Sequence, residues 1–410
     1  MAEGGSWLPE PRARRAGYLV HTQTIYPEAT AGVEDVGVND QSPIMLQTTE
    51  VLERLRQILA ECSSDLASVV RCEVLLSFPA DFYEFNLVWR RHFPDNPPAR
   101  WVLGVGDTHP VPGARVAIHA IAVSGDSGRQ RELLRTTETP DSLSAEHCAQ
   151  AVRVGDYLFP SPVAAIEDYG QGVIPPRNPL EPPAAFQARV VMERYRQLLE
   201  SAGTSLAHTI KSQNVMTDLD DWVHINHIWG EVMQPPAPPR TSVSVSSLVV
   251  PNARMLPNLT VLIPNDRNRK EMVTAGVPFA VTEHGYNYTA AIQTADYLSL
   301  AGHLAYDYST FERQGANPAM PHLQSDIEVQ VDSVLEDRMG IVQANELEPS
   351  AVCEAKVYLR SPRRDLRGFR RAWKRWFPGD SGPVVQVIPV TGIHFRGTLV
   401  EIELLATRKD

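Results

Sequence analysis

VLERLRQIL (residues 51–59) and VMERYRQLL (residues 191–199) are one segment written twice in this chain. A shift of 140 residues superimposes them, with Glu53/Glu193, Arg54/Arg194, Arg56/Arg196 and Gln57/Gln197 identical. Without a gap, the same shift carries Leu66 and Ala67 onto Leu206 and Ala207, Asn86 onto Asn226, Trp89 onto Trp229, Pro98 onto Pro238 and Arg100 onto Arg240. Agreement of this length marks an internal repeat, and a repeat constrains the fold before any single element does. A third, more diverged copy lies at a shift of about 284, where Phe85, Trp89 and the run from Arg91 to Pro94 are answered by Phe369, Trp373 and the run from Arg375 to Pro378.

Local signals follow one order in each copy. An apolar strand pair comes first, then a helix with 3.6-residue periodicity (Val51, Leu52, Leu55, Ile58, Leu59 in the first copy), then a β-rich run, VVRCEVLLSF. A second, aromatic-studded helix, DFYEFNLVWRRHF, and a closing strand pair complete the unit. Polar or Pro/Gly-rich stretches at 124–146 and 264–275 fall between copies. The expected organisation is a disordered tail at 1–14 and α+β modules at 15–125, 147–265 and 274–410. The segment 166–186 reads as an extended surface loop inside the second module.

Composition excludes several classes. The 410 residues are 43% hydrophobic and 21% charged, which is globular. A net charge of −11 opposes the phosphate neutralisation that nucleic-acid binding requires. The four cysteines, Cys62, Cys72, Cys148 and Cys353, stand apart without metal-ligand or disulfide spacing, as in a reduced cytoplasmic protein. No apolar run approaches membrane-spanning length, and the N-terminus carries no leader-like apolar segment.

The segment NPPARWVLGVGDTHPVPGARVAIHAIAV (96–123) resembles the end of the reactive-intermediate deaminase (RidA, YjgF-like) family, where a Pro-x-Arg strand precedes a strand of the form VEIEAIA. The second copy opens with AQAVRVGDYLF (149–159), also close to that family's start, and the third ends with LVEIELLA (399–406). The resemblance implies a single-chain pseudo-trimer of chorismate-mutase-like modules, with a central β-barrel and outer helices. It also implies hydrolysis of small imines or enamines between modules, without cofactor or metal. An arginine grips the substrate carboxylate, and a carboxylate across the cleft handles the proton.

Carried over residue by residue, the family pattern is split among the copies. Copies one and two keep the helix asparagine (Asn86, Asn226), the proline (Pro98, Pro238) and the arginine (Arg100, Arg240), but Ala117 and Pro257 occupy the glutamate position. Copy three has no arginine between Asp380 and His394 and carries Arg370 for the asparagine, yet keeps Tyr288, Gly302 and Glu401. These halves are complementary. The resemblance implies one composite site, with Glu401 and Tyr288 catalytic and Arg240, Asn226, Ser242 and Gly302 binding substrate, or Arg100 and Asn86 if copy one is the partner. Copy two is favoured because Ser242 keeps a small polar residue two positions after the arginine, where copy one has Val102 after Trp101. The other clefts are expected to be filled by side chains such as Trp101 or closed by Pro257.

Plainer readings stand beside these. Glu401 and Glu403 share a strand face that could be solvated, and the arginines could be surface ion-pair partners. His224 and His227 have i,i+3 spacing but no carboxylate companion, so no metal site is expected. The basic run RSPRRDLRGFRRAWKRW (360–376) reads as a solvated helix face. GVG (104–106) lacks the remaining dinucleotide-binding glycines. The expected partner is a small carboxylate-bearing metabolite, acted on by a monomer whose further assembly through outer helices is left open. A chorismatase-like activity and a non-catalytic carboxylate sensor are the alternatives.

Overall fold

The computed structural model describes residues 8, 11–28, 42–136, 147–167, 172–277, 287–307, 312–317, 319–320, 322–380 and 382–408. The first module runs β1 (Ala13–Ala16), β2 (Leu19–Thr22), α1 (Pro43–Glu61), β3 (Val69–Leu76), α2 (Phe82–His92), β4 (Ala99–Gly104) and β5 (Val116–Val123), with β6 (Arg131–Leu134) after it. The second runs β7 (Ala151–Val154), β8 (Tyr157–Pro160), α3 (Pro183–Ser201), β9 (Thr209–Met216), α4 (Trp222–Val232), β10 (Arg240–Ser244), β11 (Ser247–Leu248) and β12 (Met255–Leu262), followed by β13 (Glu271–Met272). The third comprises β14 (Ala291–Gln293), β15 (Tyr297–Leu300), β16 (His303–Leu304), the ribbon β17 (Tyr306–Asp307) and β18 (Glu312–Arg313), then α5 (Asp326–Ala344), β19 (Val352–Leu359), α6 (Pro362–Trp376), β20 (Val384–Pro389), β21 (Gly392–Ile393) and β22 (Val400–Thr407).

Each module is a mixed sheet backed by two helices. In α1, Val51, Leu52, Leu55, Ile58 and Leu59 form the buried stripe that the sequence period demanded, and Ser42 caps the helix by accepting from the Met45 amide. The α5 terminus is held by a capping box between Ser325 and Glu328. The crossover through the second helix makes β3/β4, β9/β10 and β19/β20 parallel, as a strand–helix–strand connection requires. All eight residues of β3, β9 and β19 are buried, because helices cover one face and neighbouring modules the other. Trp89 and Trp229 tie the second helices to the following modules, donating to the carbonyls of His147 and Asn287 at 2.9 and 3.0 Å.

The modules also exchange strands. β11 of module two pairs with β4 of module one, and β21 of module three pairs with β10 of module two. Module one meets module three through Arg363, which bonds Asp107 and the His109 carbonyl at 2.6 and 3.0 Å. The hydrogen-bonded strands form three large separate sheets and the small β17/β18 ribbon among the described residues, not the single closed barrel expected from the sequence. The chain turns between Ser244 and Ser247, so β10 stays in the second sheet while β11 pairs with β4 in the first. Gly104 permits that junction, since a Cβ there would lie 2.0 Å from Ser247 Oγ.

A buried polar cluster fills the space where the modules meet. Strand register makes Glu73, Gln213 and Lys356 equivalent, and likewise His119, Asn258 and Glu403. Lys356 Nζ bonds Glu73; Asn258 Nδ2 bonds Glu73 and Gln213 at 3.0 and 3.1 Å; Gln213 Nε2 bonds Glu403 at 2.7 Å.

Two expectations change. Most of the supposed 1–14 tail lies outside the described residues, but Ala13 and Arg14 already belong to β1. The segment 166–186 is not wholly loop: Ile166 bridges Val173, and α3 begins at Pro183, a residue suited to a first helical turn. No described helix is long and apolar enough to cross a membrane.

Candidate functional site

Between modules two and three lies a cavity of about 260 Å³ lined by Trp222, Arg240, Ser242, Tyr288, Gly302, Leu304, His394, Phe395 and Glu401. Five of the anticipated residues therefore converge, and copy two is the partner. Arg240 and Ser242 project from the same face of β10, as alternate strand residues must. Glu401 projects from β22, opposite Leu304 of β16. Glu401 and Glu403 are only 4% and 1% exposed, so the solvated-face alternative is excluded.

Gly302 is a glycine for steric reasons. A Cβ at this position would sit 2.2 Å from Glu401 Oε1 and 2.5 Å from Thr241 Oγ1. Gly302→Ala is accordingly expected to displace the Glu401 carboxyl and to lower stability by about 1–3 kcal/mol, the usual effect of overpacking. Denaturant midpoints check this; an unchanged midpoint would show that the contact yields without cost.

Electrostatics sets the protonation states. Burial first, and then Glu403, pushes the Glu401 carboxyl well above its ordinary range against the opposing pull of Arg240. Its protonated form is favoured more than in an ordinary carboxyl. Burial lowers the Arg240 guanidinium to about 10, opposed by Tyr288 and Glu401, so it stays cationic at neutral pH. Its carbon lies 5.5 to 5.9 Å from the ring centroids of Trp229, Trp222 and Tyr288. Burial, then Arg240, drops His394 to about 4, leaving a neutral imidazole edge-on to Trp222 at 5.0 Å.

Three buried atoms lining this cavity, Ser242 Oγ, His394 Nε2 and Glu401 Oε2, have no hydrogen-bond partner among the described residues. Buried polar groups are ordinarily satisfied, so three such atoms around one apolar-walled space set this cavity apart chemically.

The cleft between modules one and two is different. Arg100 is fully buried, donates to Asn86 Oδ1 at 2.7 Å and lies 4.9 Å from the Trp89 ring centroid. Cys148 stands where copy three has Tyr288, Pro162 where it has Gly302, and Trp101 Nε1 donates to the Leu256 carbonyl at 3.3 Å. Leu256, not Pro257, occupies the glutamate position: β12 pairs Leu256 with Val215 as β22 pairs Glu401 with Tyr358. The ungapped shift was one residue out of register here, because the loop before β12 is one residue shorter than its counterpart in module one. Pro257 instead offers its carbonyl to the Tyr195 hydroxyl at 2.7 Å. In the third cleft, Val385 and Ala117 replace the arginine and the acid.

Asn226 is half-buried on α4 and is not among the cavity-lining residues. Its Oδ1 has no hydrogen-bond partner among the described residues, so it does not hold Arg240 as Asn86 holds Arg100. Trp222, Leu304, His394 and Phe395 were missed from the sequence. His394 and Phe395 sit in the variable hairpin before β22, where the repeat alignment has no fixed register.

The endoribonuclease L-PSP family model matches residues 18–124, 141–255 and 281–408. Protein DfrA of Myxococcus xanthus is 39% identical over 84 residues, 20% of this chain and 63% of that protein, so the match spans less than two thirds of its length. RutC family protein y4sK of Sinorhizobium fredii is 30% identical over 117 residues, 28% of this chain and 86% of that protein. A chorismatase crystal structure is similar in fold over 83% of this chain and 93% of its own, with 13% identity and a TM-score of 0.50. With three matched segments covering most of its length, the chain belongs to the endoribonuclease L-PSP (RidA/YjgF) family as a tandem of three modules.

Proposed function

We propose that the chain is a cofactor-independent enzyme for a small carboxylate-bearing imine or enamine, working at the one composite site between modules two and three. The observation that carries this is the set of unsatisfied buried atoms Ser242 Oγ, His394 Nε2 and Glu401 Oε2 around a cationic arginine. Arg240 and Ser242 hold the substrate carboxylate, the arginine by paired N–H donors. Glu401 gives its proton to the imine nitrogen, and water adds to the iminium carbon. The resulting Glu401 carboxylate takes the water's proton, and collapse of the adduct releases ammonia and a 2-keto acid. Tyr288 closes the carboxylate side of the pocket.

The β11/β4 and β21/β10 pairings, with the Arg363 contacts, link every module to both others. They support a closed pseudo-trimer in one polypeptide, hence a monomer in solution. Light scattering that returned an obligate trimer of chains would refute this arrangement.

A second activity fits one observation. Trp222, Tyr288 and Phe395 give the cavity aromatic walls suited to a ring, so an acid-catalysed, chorismatase-like step on a cyclic carboxylate is the alternative.

The test is Arg240→Ala, with imine hydrolysis and carboxylate binding both measured. Loss of a charge-assisted contact is expected to weaken binding by about 1.5–3 kcal/mol. Unchanged binding would remove Arg240 from the site. Carboxylate binding without turnover of any imine or cyclic substrate by the wild type would leave a sensor.

A further inference from the structure

The basic run on α6 does more than face solvent. Arg363, Arg367, Arg370, Arg371 and Lys374 line a groove of about 330 Å³ whose apolar floor is Pro110, Pro362 and Leu366. Arg363 is held by Asp107, and Arg371 by both oxygens of Glu328 at 2.9 Å. Arg367, Arg370 and Lys374 take part in no ion pair among the described residues. Their i, i+3, i+7 spacing sets the three on one helix face, over about 10 Å. Leaving three cations together costs self-repulsion, and among the described residues no carboxylate forms an ion pair with any of the three.

The groove lies where modules one and three meet, outside the cleft that has lost its arginine and acid to Val385 and Ala117. Strand and helix register place Leu366 where the composite site has Trp222. The outer part of this third cleft is thus concave, partly apolar and lined by cations.

We propose that this groove binds a small organic polyanion with at least two phosphate charges, independently of the chemistry at Glu401. Two guanidinium forks and an ammonium along one face match adjacent phosphoryl groups, and the proline-leucine floor accepts an organic moiety. The volume is at the lower end for small-ligand pockets. A polynucleotide is disfavoured because the rest of the chain carries the excess negative charge that gives −11 overall.

Calorimetric titration with pyrophosphate, ADP, citrate and an oligouridylate tests this on the full chain and on Arg367→Ala/Lys374→Ala. Both residues are exposed, so the double variant is expected to keep the wild-type melting temperature; Arg370→Gln provides an independent second variant. ADP and pyrophosphate are expected to bind, more weakly as salt rises, with affinity at least about tenfold lower in either variant. The proposal is overturned if neither binds at about 1 mM in low salt. It is equally overturned if both bind undiminished to the variants, or if citrate or the oligouridylate binds more tightly than ADP.

Discussion

Glu401→Gln lowers turnover by about 10²–10⁴-fold, the range for loss of a positioned proton donor, while leaving carboxylate binding nearly unchanged. Glutamine keeps the side-chain volume and the planar group beside Gly302 but holds no transferable proton. Because Arg240 and Ser242 are untouched, the loss falls on kcat rather than KM. Full activity in this variant would transfer the proton chemistry elsewhere, and His394 would be the next residue to change. A second readout does not depend on knowing the substrate. The ordinary carboxyl pKa is 4.5, and Glu401 in the folded chain is held well above it. Below that ordinary value both folded and unfolded chains carry the proton, and nothing is lost. As pH rises beyond it, the unfolded chain ionises while the folded chain does not, so stability falls by about 1.4 kcal/mol per pH unit until the folded pKa is reached. Glutamine has no such term. Glu401→Gln is therefore expected to gain on the wild type as pH rises above the ordinary carboxyl range, and parallel stability curves would contradict a raised pKa.

Lys356→Met destabilises the chain by about 3–5 kcal/mol, because it strands a buried carboxylate. Lys356 and Glu73 side chains are 2% and 1% exposed, and their pair joins module three to module one. Burial alone would push the Glu73 carboxyl up, but Lys356 and then Arg71 overcome it and hold it at about 2. Removal of the ammonium leaves Arg71, 3.3 Å away, as the remaining close cation. Glu73→Gln in the same chain is expected to restore much of the loss, since the charge then disappears with its partner. Equal melting midpoints for Lys356→Met and wild type would show that the cluster contributes nothing to holding the modules together.

Much of this is legible in the sequence. The helix VLERLRQIL and its copy fixed the module, and complementary losses of arginine and acid pointed to the cleft where Arg240 meets Glu401. What failed has a common physical cause. An ungapped shift assumes equal loops, so it named Pro257 where strand pairing places Leu256. His394 and Phe395 arise from a short hairpin whose position is set by pairing with module two, a contact between distant segments. The buried charges Glu73, Lys356 and Glu403 look like ordinary solvent-facing strand residues until three sheets are brought together. Asn226 matched the pattern by position, yet its side chain lies outside the cavity lining.

The differing residues at the polar centre also govern which modules can live together. Three copies of Glu73 meeting there would repel, as would three of Lys356; Glu73, Gln213 and Lys356 together do not. A chain made of one module repeated three times could not supply that trio, and neither could a free-standing relative inserted in place of a module. Each module thus supplies a different member of the centre, and their charges and amides are complementary only in combination. A second copy of module one or module three put in place of any other module would bury a charge without its counterpart.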